Sequence, residues 1–64
     1  MQDLVKIIKW KDEISQIEYM LTKLEVAEEK YAEEERYEQA QLMLLEQKRL
    51  LKRKRYLETK IKNT

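Results

Sequence analysis

The sequence predicts an all-α fold: an antiparallel, coiled-coil-like helical hairpin that pairs with a second copy into a four-helix bundle. Two observations favour helices throughout: the 64 residues include no Gly and no Pro, and apolar residues recur at alternating intervals of three and four. This recurrence changes register near the middle of the chain, which allows a hairpin or a stutter. The segment YEQA at 37–40 favours the hairpin, because an aromatic residue followed by Glu and, two positions later, Ala is typical of the start of the second helix in helical hairpins. A chain this short buries only about 60% of the surface that its unfolded form exposes, so we expect a homo-oligomer.

The first predicted helix covers about residues 3–32. Asp3 stands just before the periodic run and is the expected N-cap. One apolar stripe with strict three- and four-residue spacing runs along this helix and consists of Ile7, Trp10, Ile14, Ile17, Leu21 and Leu24. A weaker second line of Ile8, Tyr19 and Val26 lies off that stripe. It is either the extra width that a four-helix bundle needs or a docking surface for another helix.

A turn is predicted at about residues 33–36, although this segment contains none of the residues that usually mark turns. Its residues are good helix formers. A hairpin also brings Lys6 and Lys9 close to Lys60 and Lys62, which repel them. The alternative is therefore one long continuous helix in a coiled coil, with a stutter where the register changes.

The second predicted helix covers about residues 37–62. Its stripe is offset by two positions from the first and consists of Ala40, Met43, Gln47, Leu50, Lys54, Leu57 and Ile61. Lys54 interrupts the apolar side, so its ammonium is expected to reach solvent along the helix surface. The predicted oligomer seam joins the whole first stripe to four apolar members of the second, Met43, Leu50, Leu57 and Ile61.

The segment around the turn resembles a known motif. Ala32-Glu33, Tyr37-Glu38, Ala40, Met43 and Leu50 stand where the UVR motif of excision-repair and chaperone-associated proteins has Ala-Glu, Phe-Glu, Ala, Leu and Leu. The similarity covers about residues 28–51, and the second helix also opens like that of a tetratricopeptide unit. Glu35 stands where UVR motifs have an apolar turn residue and tetratricopeptide units have a Gly. The resemblance implies a helical hairpin that binds another protein helix, without catalysis.

Charge is sorted along the chain, although the net charge is only +1. The segment from 25 to 38 contains seven glutamates and two basic residues. The segment from 48 to 62 contains eight basic residues and one glutamate. The predicted face for an anionic partner comprises Lys48, Arg49, Lys52, Arg53, Arg55 and Lys60. This face is either a solvated surface that pairs with the acidic segment 25–38 of another subunit, or a contact surface for nucleic acid, an acidic protein or an anionic membrane.

The residue types predict that the chain is not an enzyme. It contains no His and no Cys, and therefore no imidazole base, no thiolate and none of the usual zinc ligands. Ser15 is the only serine, and no neighbouring residue is an evident base for it. The glutamates Glu33, Glu34, Glu35 and Glu38 lack the Gly-containing loop of a Ca²⁺ site. We therefore expect no catalytic residue, no bound metal and no cofactor.

These features predict a small helical adaptor or regulatory protein that acts by protein–protein interaction, of a kind common among phage and bacterial accessory proteins. One alternative is a nucleic-acid-binding helical bundle that uses the basic face of the second helix. Another is a scaffolding coiled coil, if the helix is continuous. No apolar signal-peptide core follows Met1, and no apolar run approaches the roughly 20 residues of a membrane span. We expect a cytoplasmic protein with no membrane span and no small-molecule substrate.

Overall fold

A computed structural model describes residues 3–64. Two helices, α1 (Leu4–Glu33) and α2 (Tyr37–Lys62), pack against each other as an antiparallel hairpin, and the described residues contain no strand. The predicted all-α hairpin is confirmed, and the alternative of one continuous helix is wrong. The hairpin is a rod whose Cα atoms extend over 53 × 15 × 11 Å.

Helix α1 begins with a side-chain cap at Asp3, as the sequence predicts. Asp3 has an extended backbone (φ −93°, ψ 92°), and its Oδ1 accepts a hydrogen bond from the Lys6 N–H at 3.3 Å. This bond satisfies one of the N–H groups that a helix leaves without an internal partner at its start. The 30-residue helix then runs to Glu33 without a Gly or Pro to interrupt it.

Backbone hydrogen bonds close the turn between the helices. The Arg36 N–H donates to the Tyr31 carbonyl at 2.8 Å, and the Glu35 N–H donates to the Ala32 carbonyl at 3.0 Å. Together these bonds form a Schellman motif, which ends many helices. Glu35 has a φ of 60°, in the left-handed region that Gly usually supplies at this position. The chain therefore reverses without a Gly, and the glutamate carries the conformational cost.

The two predicted stripes face each other across the interface between α1 and α2. Leu57 and Ile17 are the most deeply buried large side chains, with 0% and 2% of their surface exposed, and Ala40 is also buried. The other predicted seam residues are half-buried: Ile7, Trp10, Ile14, Leu21, Leu24, Met43, Leu50 and Ile61. In the hairpin, both stripes are thus used within one chain.

Two helices alone do not enclose a core. Among the described residues, only Ile17, Ala40 and Leu57 are buried apolar residues, while twelve large apolar side chains are exposed. Stable domains cover the apolar faces of their elements with a further layer. The outer surface of this hairpin therefore remains available for packing against another protein.

Candidate interaction surfaces

An ion pair between Glu13 and Arg53, called the clasp below, joins the helices near their open end, where α1 begins and α2 finishes. Arg53 Nε donates to Glu13 Oε2 at 2.7 Å, and Arg53 Nη2 donates to Glu13 Oε1 at 3.2 Å. Two bonds of this kind fix the direction of both side chains as well as their distance. They hold the pKa of Glu13 below its ordinary value, against the opposing effect of desolvation, and raise the pKa of Arg53. Both groups therefore stay charged at neutral pH.

Two further polar contacts involve seam positions. Gln47 Nε2 donates to Glu28 Oε1 at 3.0 Å, and Lys54 Nζ lies 3.5 Å from Glu18 Oε2. The Lys54 side chain is only 25% exposed, so its stem covers apolar surface while its ammonium reaches the edge of the seam. Polar residues at seam positions favour one register, because a slip between the helices leaves their polar groups without partners.

The predicted basic face lies on the outer side of α2. Within residues 3–64, four of its six members form no ion pair, and three of these four also lie beside no aromatic ring. Lys48, Lys52 and Arg55 are exposed and form no ion pair with any residue from 3 to 64. They occupy positions 48, 52 and 55 of one helix, spaced by four and three, and so project from the same side. These three side chains are the part of the basic face that is available to an anionic partner.

The other three members of the basic face have partners within the chain. Arg49 Nη1 lies 3.6 Å from Glu46 Oε2, and Arg53 belongs to the clasp. The Lys60 ammonium lies 5.5 Å from the centroid of the Tyr56 ring, and the Arg53 guanidinium lies 5.3 Å from the same centroid. Tyr56 lies within the basic segment of α2, and two cations already lie beside its ring.

The second apolar line of α1 is exposed along its whole length. Ile8, Tyr19 and Val26 each expose more than half of their surface, and the Lys23 ammonium lies 4.7 Å from the Tyr19 ring centroid. An open groove of about 640 Å³ follows this side of α1 toward the turn. It is lined by Thr22, Lys23, Val26, Ala27, Lys30, Tyr31, Glu34 and Arg36.

Helix α2 carries a second exposed apolar surface that the sequence analysis missed. Leu44 and Leu51 expose 41% and 40% of their surface, and Leu42 and Leu45 expose a larger fraction of theirs. Leu44 and Leu45 line a smaller groove of about 200 Å³ together with Gln41 and Lys48. Leu44 and Leu51 each directly follow a seam residue and lie seven positions apart, so the heptad spacing already placed them on one flank.

The acidic residues of the turn end are spread around the tip of the hairpin. Glu34 Oε1 lies 3.8 Å from Arg36 Nη1, and the Arg36 guanidinium lies 5.1 Å from the Tyr31 ring centroid. Within residues 3–64, no three acidic side chains are grouped so that they could hold a metal ion. The turn end therefore presents its negative charge to solvent.

No family model matches the chain, and no curated protein or solved structure is significantly similar to it. The resemblance to the UVR motif stays a prediction. Neither helix, over the part of the chain that the structure describes, has the length and apolar character needed to cross a membrane. The cytoplasmic location also stays a prediction.

Proposed function

We propose that this chain is a non-enzymatic helical adaptor that acts by packing against other protein helices, including those of a second copy of itself. The observation that carries this proposal is the imbalance of apolar surface. Twelve large apolar side chains are exposed, against three buried apolar residues in the described part of the chain. Burying an exposed apolar surface is worth about 25 cal/mol for each Å², so covering these side chains drives association.

The two exposed apolar surfaces support packing of helix on helix. The line of Ile8, Tyr19 and Val26 runs along α1, and the leucines of α2 run along the other helix. A helix that is apolar on more than one side needs more than one neighbour. The residue types support the absence of catalysis, because the chain has no His or Cys to serve as a base or nucleophile.

Sedimentation equilibrium and thermal unfolding test self-association. We expect a mass above that of the 7.9 kDa chain, and a Tm that rises with protein concentration over a range of about a hundredfold. The rise is expected because association stabilises the folded state by mass action. A monomeric mass together with a Tm that does not change with concentration would contradict self-association.

The free basic side chains favour nucleic-acid binding as a second candidate function. Lys48, Lys52 and Arg55 project from one side of α2 without ion-pair partners among residues 3–64, which suits contact with phosphates. The acidic turn end of the same rod weakens this candidate, because it repels a long duplex. The scaffolding alternative required a continuous helix, and the chain folds back at Glu35 instead.

Binding to labelled duplex DNA, duplex RNA and single strands at several salt concentrations tests the second candidate. The variant K48Q/K52Q/R55Q removes the three free charges and leaves the clasp intact. If the basic face binds phosphates, affinity falls steeply with salt, and the variant reduces the slope of log K against log salt by about three for duplex DNA. The charge-preserving variant K48R/K52R is the matched control. Absence of binding at low salt would exclude this function.

A further inference from the structure

We infer that the first two turns of α1 bind the surface of an anionic membrane. Three apolar side chains, Leu4, Val5 and Ile8, insert between the lipids, and neighbouring lysines contact the lipid phosphates. This inference goes beyond packing against protein helices and does not depend on self-association. Three features carry it: exposed apolar side chains in a segment without acids, lysines on both sides of them, and the charge of this end of the rod.

The segment from 4 to 11 combines apolar and basic residues. Five of its eight residues are apolar, three are lysines and none is acidic. Two of the apolar residues belong to the seam and are half-buried. The other three, Leu4, Val5 and Ile8, each expose between 59% and 65% of their surface. The start of α1 therefore carries apolar surface that α2 does not cover.

Lysines border this apolar surface on both sides. With about 3.6 residues per turn, Leu4, Ile8 and Val5 span an arc of about 100° around the helix. Lys11 lies about 20° beyond Leu4, and Lys9 lies about 40° beyond Val5. Both lysines are exposed and form no ion pair with any other described residue. Lysines in these places extend their ammonium groups to the lipid phosphates while the apolar arc lies among the acyl chains.

The basic face of α2 has the opposite order around the helix. Lys48, Lys52 and Arg55 occupy the middle of its outer side, and exposed leucines lie on either side of them. Insertion of those leucines would carry the three central charges below the lipid phosphates, which costs free energy. Of the two helices, α1 therefore has the arrangement that suits insertion.

Acidic residues limit the contact to the open end of the rod. Asp12 lies on the same side of α1 as Ile8, one turn further on. Towards the turn, the segment from 25 to 38 carries seven glutamates and two basic residues, and an anionic surface repels it. At the open end, residues 3–12 and 57–64 together carry five lysines and three acids. The open end therefore contacts the membrane, and the turn end points away from it.

The shape of the surface favours a bilayer as the partner. None of the three apolar side chains lines either of the two grooves described above, so they project outward from the rod. A projecting apolar side chain enters a fluid lipid phase without needing a preformed pocket. Nucleic acid offers phosphates but no apolar phase to cover these side chains. An anionic bilayer offers both.

Flotation with lipid vesicles tests the inference. We expect the wild-type protein to float with vesicles of equal parts phosphatidylcholine and phosphatidylglycerol, but not with phosphatidylcholine alone. The variant L4Q/V5Q/I8Q is expected to lose at least about tenfold in affinity. The control L42Q/L45Q, which removes exposed leucines from α2, is expected to bind like the wild type. Absence of binding to the mixed vesicles, or an equal loss in the two variants, would overturn the inference.

Charge removal distinguishes this segment from the basic face of α2. The variants K9Q/K11Q and K48Q/K52Q each remove two exposed lysines without ion-pair partners among the described residues. We expect the first to weaken binding to the mixed vesicles at least about tenfold, and the second less than about threefold. A larger loss in the second variant would assign the binding to α2 and overturn the inference.

A fluorescent label tests insertion directly. The chain has no Cys, so Ile8→Cys accepts a single environment-sensitive fluorophore. Its emission is expected to shift to shorter wavelength when the mixed vesicles are added, and that of a label at Leu45→Cys to stay unchanged. Circular dichroism checks that both labelled proteins remain helical. A label at position 8 that stays in water would overturn insertion. That result would leave self-association, measured by sedimentation without lipid, unaffected.

Discussion

The two ends of the hairpin are held together by different means. At the turn end, the chain itself joins the helices, and two backbone hydrogen bonds to the carbonyls of Tyr31 and Ala32 close the connection. In the open half, no covalent link holds the helices. There Leu57 and Ile17 are fully buried, and the clasp makes two hydrogen bonds. Helix termini fray unless side chains tie them down. The most deeply buried side chains and the bidentate ion pair therefore lie in the half of the hairpin where no covalent link joins the helices.

Leu57→Ala is expected to have the largest effect, because it weakens the open half at its most buried side chain. Truncation of a buried leucine costs about 2–5 kcal/mol, through lost burial and the cavity that remains. For a domain of this size, each 1 kcal/mol lowers the Tm by about 4–8 °C, so a fall of at least about 10 °C or complete loss of folding is expected. Circular dichroism melts at a fixed protein concentration measure it.

The matched control for this substitution is Leu42→Ala on the exposed side of the same helix. Its expected effect on the free energy of unfolding is within about 0.5 kcal/mol. Equal effects of the two substitutions would show that the open half does not depend on Leu57.

At the turn end, the substitution Glu35→Gly is expected to stabilise the hairpin. A non-Gly residue in the left-handed region costs about 1–2 kcal/mol, and Gly adopts this φ freely. Part of the gain is offset because Gly makes the unfolded chain more flexible. The expected net gain is about 0.5–1 kcal/mol, measured by urea denaturation. Glu34→Gly, at a residue with a φ of −84°, is the control and is expected to give no gain. A loss of stability in Glu35→Gly would contradict the argument.

Glu13→Gln is expected to have the smallest effect at neutral pH and to show itself in the pH dependence. The bonds from Arg53 lower the pKa of Glu13 in the folded state. The clasp therefore stabilises the fold above the ordinary carboxyl pKa of about 4.3, and this contribution is lost as the pH falls through the lower folded value. The wild-type Tm is expected to fall more steeply below about pH 4 than that of the variant.

The control for the clasp is Glu29→Gln, since Glu29 makes no ion pair with any residue in the described part of the chain. We expect this variant to keep the acid-induced loss of stability seen in the wild type. Acid curves that superimpose for Glu13→Gln and the wild type would indicate that the clasp does not stabilise the hairpin.

The two helices were predictable because the three- and four-residue spacing persists on both sides of the turn. The change of register between Leu24 and Ala40 alone did not distinguish a hairpin from a stutter, and the hairpin was favoured by the segment YEQA at 37–40. Repulsion between the lysines of the open end counts against the hairpin, but ion pairs further along the interface count for it. Glu13 and Glu18 of α1 pair with Arg53 and Lys54 of α2. Pairing across the seam depends on the relative rotation of the helices, which spacing along one helix does not reveal.

Two other features were hidden for different reasons. The left-handed backbone at Glu35 was not predictable, because glutamate has no preference for that conformation and the bonds that impose it are made by backbone groups. The exposure of Leu44 and Leu51 was predictable in principle, because both follow seam residues at heptad spacing.

The way in which the turn closes also sets an order of folding. The hydrogen bonds of the turn join residues only three to five positions apart, whereas Glu13 and Arg53 of the clasp are 40 positions apart. Local contacts form with little loss of chain entropy, and distant ones follow once the ends are brought together. We expect the hairpin to zip from the turn towards the open end. In stopped-flow kinetics, Glu35→Gly would then change mainly the folding rate, and Leu57→Ala mainly the unfolding rate.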